Sequence, residues 1–63
     1  MRMIIANIEY ENDYIYVTGN TSIGSIKGKW CYKEKPILGE TYFFELSIDE
    51  FERNEIIILG DEQ

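Results

Sequence analysis

An all-β domain, closed as a small five-stranded antiparallel barrel, is the fold class this sequence predicts. Three observations carry it. From Tyr42 to Ile48 an apolar residue recurs at every second position, the period of a half-buried strand. Four further segments rich in β-branched and aromatic residues are set off by Gly, Pro, Asn or Asp. The chain is 63 residues long, which gives one small domain spanning 1–63.

Met3 to Tyr10 reads as the first strand, with Ile4, Ala6, Ile8 and Tyr10 on one face and Asn7 and Glu9 on the other. Glu11-Asn12-Asp13 supplies a turn, since Asn and Asp tolerate left-handed backbone and bond their own main chain. Tyr14 to Thr18 is the second strand. Ile15 and Val17 are expected inward, Tyr14 and Tyr16 outward. Gly19 to Ser22 reads as a loop, and Gly24 as a turn or bulge. Ser25 to Tyr32 is the third strand. Ile26, Gly28, Trp30 and Tyr32 line one face, and Lys27, Lys29, Cys31 and Lys33 the other. Gly28 beside Trp30 suggests a strand that bends, or one over which a neighbouring ring lies.

Lys33 to Glu40 is a loop built on Pro36 and Gly39. Thr41 to Ile48 is the fourth strand, with Tyr42, Phe44, Leu46 and Ile48 inward. Ser47 with Glu50, and Asp49 with Glu52, have capping-box spacing, so one helical turn is expected over 49–54. Ile56-Ile57-Ile58-Leu59 is the last strand, apolar on both faces. It is suited to full burial or to a core on one side and a subunit contact on the other. Asp61-Glu62-Gln63 reads as a frayed tail. A helical turn just before the fifth strand matches an SH3-like barrel. An OB-like barrel is the alternative, disfavoured because its usual helix between strands three and four would have to fit in Lys33–Glu40.

A domain this short buries only about 60% of the surface its unfolded chain exposes. The usual staples are missing: there is one cysteine, Cys31, and no histidine, so neither an internal disulfide nor a structural zinc is available. Aromatics are 14% of the residues, and a dense aromatic core, with self-association into a homo-oligomer, is the expected remedy. Met1 to Ala6 meets Asn7 and Glu9 too early for a secretory core, and no apolar run reaches the roughly 18 residues of a membrane span. With a lone unpaired thiol, the expectation is a cytoplasmic protein that does not engage a membrane.

Catalysis finds little support. General acid–base work at neutral pH favours histidine, and no nucleophile is spaced with a base. Cys31 reads as a passive small side chain, because a catalytic thiol needs a base or a positive site to form its thiolate. Asp49, Glu50 and Glu52 lack the regular spacing of a calcium loop. No cofactor and no metal are expected.

Net charge is −6 and unevenly spread. Lys27, Lys29, Lys33 and Lys35 face only Glu34 between positions 27 and 35, whereas Arg2 and Arg53 face eleven carboxylates elsewhere. Such a surface repels a polyanion and attracts a basic protein, speeding its association. Tyr14, Tyr16, Trp30 and Tyr32 near Lys27, Lys29 and Lys33 make a thin version of a single-strand stacking platform, so a nucleic-acid- or ligand-binding barrel stands as the second reading. The first is a protein-binding module. Its candidate contact residues are Glu9, Glu11, Asp13, Tyr14 and Tyr16 on the first hairpin and Asp49, Glu50 and Glu52 before the last strand.

Gly28-x-Trp30, Pro36-x-x-Gly39-x-x-Tyr42 and Glu45-Leu46-x-Ile48 form a pattern over 28–48. It resembles one found in small bacterial proteins of immunity type, from polymorphic and contact-dependent toxin systems. The resemblance implies a short, acidic, cytosolic, non-catalytic inhibitor that covers a toxin domain. It transfers no binding residue, because such proteins meet their toxins through variable surfaces.

Overall fold

A computed structural model describes residues 1–61. Five strands follow in order: β1 Arg2–Glu11, β2 Tyr14–Thr21, β3 Gly24–Cys31, β4 Thr41–Ile48 and β5 Asn54–Asp61. They close into a barrel in the order β1-β2-β3-β5-β4, with β4 back against β1. All pairings are antiparallel except β3 with β5, which is parallel. The five-stranded all-β barrel is therefore as the sequence predicts, with one parallel seam added. In an SH3-like barrel the fifth strand would lie antiparallel beside the first. Here β5 sits between β3 and β4, which is the order of the OB-like alternative. The link from β3 to β4 contains no helix, a feature that this strand order does not require.

The core is Met3, Ile5, Val17, Trp30, Tyr42, Phe44, Ile56 and Ile58, with Ile8, Ile15, Ile26 and Tyr32 packed against it. Three rings carry much of it. Trp30 meets Tyr42 edge-on at 5.1 Å between centroids and Tyr32 at 6.1 Å, the T-shaped geometry that aromatic quadrupoles favour. The indole Nε1–H donates to the Glu34 carbonyl at 2.7 Å, and the Ile37 N–H donates to the Tyr42 hydroxyl at 3.3 Å. These bonds tie the β3–β4 link to the barrel, and Pro36 is buried within it. The link ends in a turn closed by Glu40 N–H to the Ile37 carbonyl, with Gly39 at φ +84°. A left-handed third position is what a type II turn asks of glycine.

Four expectations are corrected. The first concerns β1. Met3 and Ile5 point inward while Ile4 and Ala6 are exposed. The register with β2 skips Ala6, passing from Ile5↔Gly19 to Asn7↔Thr18. That bulge inverts the phase, and only beyond it does Ile8 face the core as predicted. The second concerns the loop at Gly19–Ser22. β2 continues to Thr21 and turns on Ser22-Ile23, where the Thr21 hydroxyl donates to the Gly24 carbonyl and accepts the Ile23 N–H.

Third, residues 49–54 form no helical turn. Asp49 and Arg53 close a β4–β5 hairpin through Asp49 N–H to the Arg53 carbonyl at 3.0 Å, and Glu52 takes φ +61°. The Asp49 carboxylate accepts from the N–H groups of Phe51 and Arg53, both at 2.9 Å. A side chain that satisfies two turn amides favours the hairpin as strongly as it would cap a helix. Fourth, Leu46 and Ile48 are not core. Both share the face of Phe44, but β4 runs past the end of the barrel and leaves them exposed. As for the expected frayed tail, Asp61 belongs to β5, and Glu62 and Gln63 lie outside the described residues.

Gly28 is explained differently from the expectation of a ring above it. A Cβ there would meet the Asn54 carbonyl oxygen at 3.0 Å and Ile56 Cγ1 at 3.1 Å. The glycine lets β5 begin against β3, and so belongs to the parallel seam.

Candidate protein-binding face

The outer face of β1, β2, β3 and β5 is assembled by register. Glu9 pairs with Tyr16, Tyr16 with Lys29, and Lys29 with Glu55, so four side chains from four strands form one row. Because alternate residues of a strand share a face, Asn7, Glu11, Tyr14, Lys27 and Cys31 belong to the same surface. Tyr14 and Tyr16 lie outward as predicted. Tyr14 is largely exposed, and Tyr16 is half-buried among its row neighbours.

The two lysines of this face, Lys27 and Lys29, are paired within it. Lys29 Nζ lies 3.3 Å from Glu55 Oε2 and 5.1 Å from the centre of the Tyr14 ring, a cation–π contact. The bond to Glu55 raises the Lys29 pKa, against a smaller effect of burial, so the ammonium is held charged. Lys27 Nζ lies 3.2 Å from Glu9 Oε1, which also accepts from Asn7 Nδ2 at 3.2 Å. Cys31 Sγ sits 3.7 Å from Glu55 Oε2. Burial first, and the Glu55 charge second, push its thiol pKa up, which fits the passive role predicted for it.

The candidate residues fall into two groups. Glu9, Glu11, Asp13, Tyr14 and Tyr16 do share the β1–β2 hairpin, where Asn12 takes φ +54° in the turn. Asp49, Glu50 and Glu52 sit on the β4–β5 turn, a different hairpin from that of the first group. Asp49 is a structural group there. Arg53 Nε joins the two turn amides on its carboxylate at 3.2 Å, and the Arg53 backbone N–H above all holds its pKa down. No trio of His, Cys, Asp or Glu among the described residues is grouped to hold a metal. By contrast no ion pair engages Glu11, Asp13, Glu50 or Glu52 among the described residues.

Sequence reasoning missed Glu55. The signal was present in the alternation of β5: with Ile56 and Ile58 inward, Glu55 and Ile57 must face out. Only the parallel seam sets Glu55 beside Lys29. The aromatics expected as a stacking platform divide, since Trp30 is core and Tyr32 packs against it, leaving Tyr14 and Tyr16 outside. No helix among the described residues is long and apolar enough to cross a membrane. Compared with known proteins, the chain matches no family model, no curated protein and no solved structure.

Proposed function

We propose that the chain is a non-catalytic protein-binding module whose partner is a basic protein. One observation carries the reading. Tyr14 and Tyr16 lie outward on a face whose lysines are already paired with Glu9 and Glu55, while no ion pair among the described residues engages Glu11, Asp13, Glu50 or Glu52 on its flanking turns. Rigid rings offer contact area at low entropic cost, and unpaired carboxylates supply the steering field. The sharpest form of this proposal is an immunity protein acting in the cytoplasm on a toxin domain. The resemblance over 28–48 and the acidic charge support that form. Affinity capture from the native host, repeated with Tyr14→Ala/Tyr16→Ala, tests the module. The double variant should lose the basic protein that the unaltered chain retains, and equal retention would remove the tyrosines from the contact.

A second reading is favoured by the strand order. OB-like barrels bind oligonucleotides on the β2–β3 face between the β1–β2 and β4–β5 loops. Against it stand the paired lysines and the net charge of −6. Titration with a single-stranded oligonucleotide at low salt decides between them, because phosphate-driven binding weakens steeply as salt rises. Self-association has its own candidate surface in Phe43 and Leu59, exposed on the outer side of β4 and β5.

A further inference from the structure

The barrel is closed, yet one strand has an open stretch of edge. β1 meets β4 only where Arg2, Met3 and Ile4 face Phe43, Tyr42 and Thr41, and the Phe44 N–H donates to the Met1 carbonyl at 2.9 Å. β4 then runs on through Glu45, Leu46, Ser47 and Ile48, paired with β5 alone among the described residues. The irregularity at Phe43/Phe44 adds Leu59 to β5 and leaves β4 itself regular. Strand alternation therefore puts the N–H and C=O groups of Leu46 and Ile48 on the side of the Phe44 N–H, along the open edge. Their side chains are 47% and 65% exposed. Leu46 borders a groove of about 500 Å³ lined also by Met1, Ile23, Ile26, Phe44 and Glu45, with Ile23 79% exposed. Proteins usually blunt such an edge with charged side chains, Pro or a bulge, and from Glu45 to Ile48 β4 carries only the single charge of Glu45.

We propose that this edge accepts an extended basic segment of a partner protein as an added antiparallel strand. Its apolar side chains enter the groove, and alternate lysine or arginine side chains face Glu45 and the Glu50–Glu52 turn. Main-chain bonds to Leu46 and Ile48 supply affinity, and the groove and carboxylates supply specificity. Charge disfavours a second copy of this chain as the occupant, because each copy carries a net charge of −6. Antiparallel pairing of two such edges about Ser47 sets Glu45 of each copy opposite Asp49 of the other, and like charges directly opposite destabilise a sheet. The inference rests on the reading that the partner is basic.

The test is a titration of the full chain, followed by amide NMR and hydrogen exchange. The probe is a capped nonapeptide alternating valine with lysine, and its control carries glutamate in place of lysine. Shifts should be confined to β4 from Phe44 onward, the Glu50–Glu52 turn, Met1, Ile23 and Ile26. The Leu46 and Ile48 amides should exchange fast in the free protein and slow on the order of tenfold or more once they are paired. Ile48→Pro removes an edge N–H that no strand uses and should weaken the peptide on the order of tenfold, the scale of one lost hydrogen bond. Glu45→Lys, which leaves the backbone intact, should reverse the preference between the two peptides. No binding, shifts elsewhere, or equal binding of the glutamate peptide would overturn the proposal, as would protection of these amides that grows with protein concentration alone. The peptide carries no folded surface, so its failure refutes the strand site and leaves the tyrosine face to be judged on its own.

Discussion

Phe44 and Leu46 lie two residues apart on the same face of β4, yet their energetics should differ sharply. Phe44 is 2% exposed between core strands, whereas Leu46 stands at the rim. Removing a buried phenylalanine costs about 3–5 kcal/mol, close to the whole stability of a small domain. Phe44→Ala should therefore be largely unfolded at room temperature, while Leu46→Ala should melt within a few degrees of the parent. Circular dichroism melts check both, and equal losses would mean that the rim is as buried as the core. Cys31 gives a second prediction at this scale. Burial and Glu55 disfavour its thiolate, so iodoacetamide at pH 8 should modify it more slowly than a free cysteine in solution. Glu55→Gln should speed the reaction. A rate equal to that of the free amino acid would contradict the assignment.

Among the elements, the β4–β5 hairpin depends most on one side chain. The Phe51 and Arg53 amides converge on the Asp49 carboxylate and hold its pKa below the usual range. A carboxylate whose pKa is lower in the folded state stabilises above its unfolded pKa, near 3.9, and loses that contribution as pH falls through the folded value. Asp49→Ala should lower the melting temperature at pH 7, and the gap from the parent should narrow below about pH 4. A gap independent of pH would show that the charge does not hold the turn.

The strands were largely legible in the sequence because two-residue periodicity and turn residues are local signals. β4 agrees at both ends, Thr41 and Ile48. What local signals do not carry is the extra residue at Ala6, which exchanges the faces of Ile4 and Ile5, and the parallel seam that only Gly28 hints at. The capping-box spacing at Asp49 misled for a physical reason: the same carboxylate–amide bonds close a hairpin turn as readily as a helix. Of the candidate site, the tyrosine face was readable from alternation along β2. The pairing of Lys29 with Glu55 was not, because it joins residues from strands that meet only in the folded barrel.

At the scale of the whole molecule the charge distribution is the property that matters for function. Lys27, Lys29 and Arg53 are paired within the chain, so much of the positive charge is spent locally and the acidic turns dominate the field at a distance. Fields of this kind act on the rate of encounter, and salt screens them to about 8 Å at physiological ionic strength. Neutralising Glu9, Glu11 and Asp13 should slow association more than it speeds dissociation. Tyr16→Ala should do the reverse, since a ring buried in a contact acts mainly on the off-rate.

Stopped-flow association of the captured basic partner with the unaltered chain, across a series of salt concentrations, addresses the proposed role most directly. The association rate constant should fall steeply as salt rises, and the charge-neutralised variant should start lower and fall less. An association rate indifferent to salt in both proteins would contradict it, leaving the acidic surface as a means of keeping a small barrel soluble.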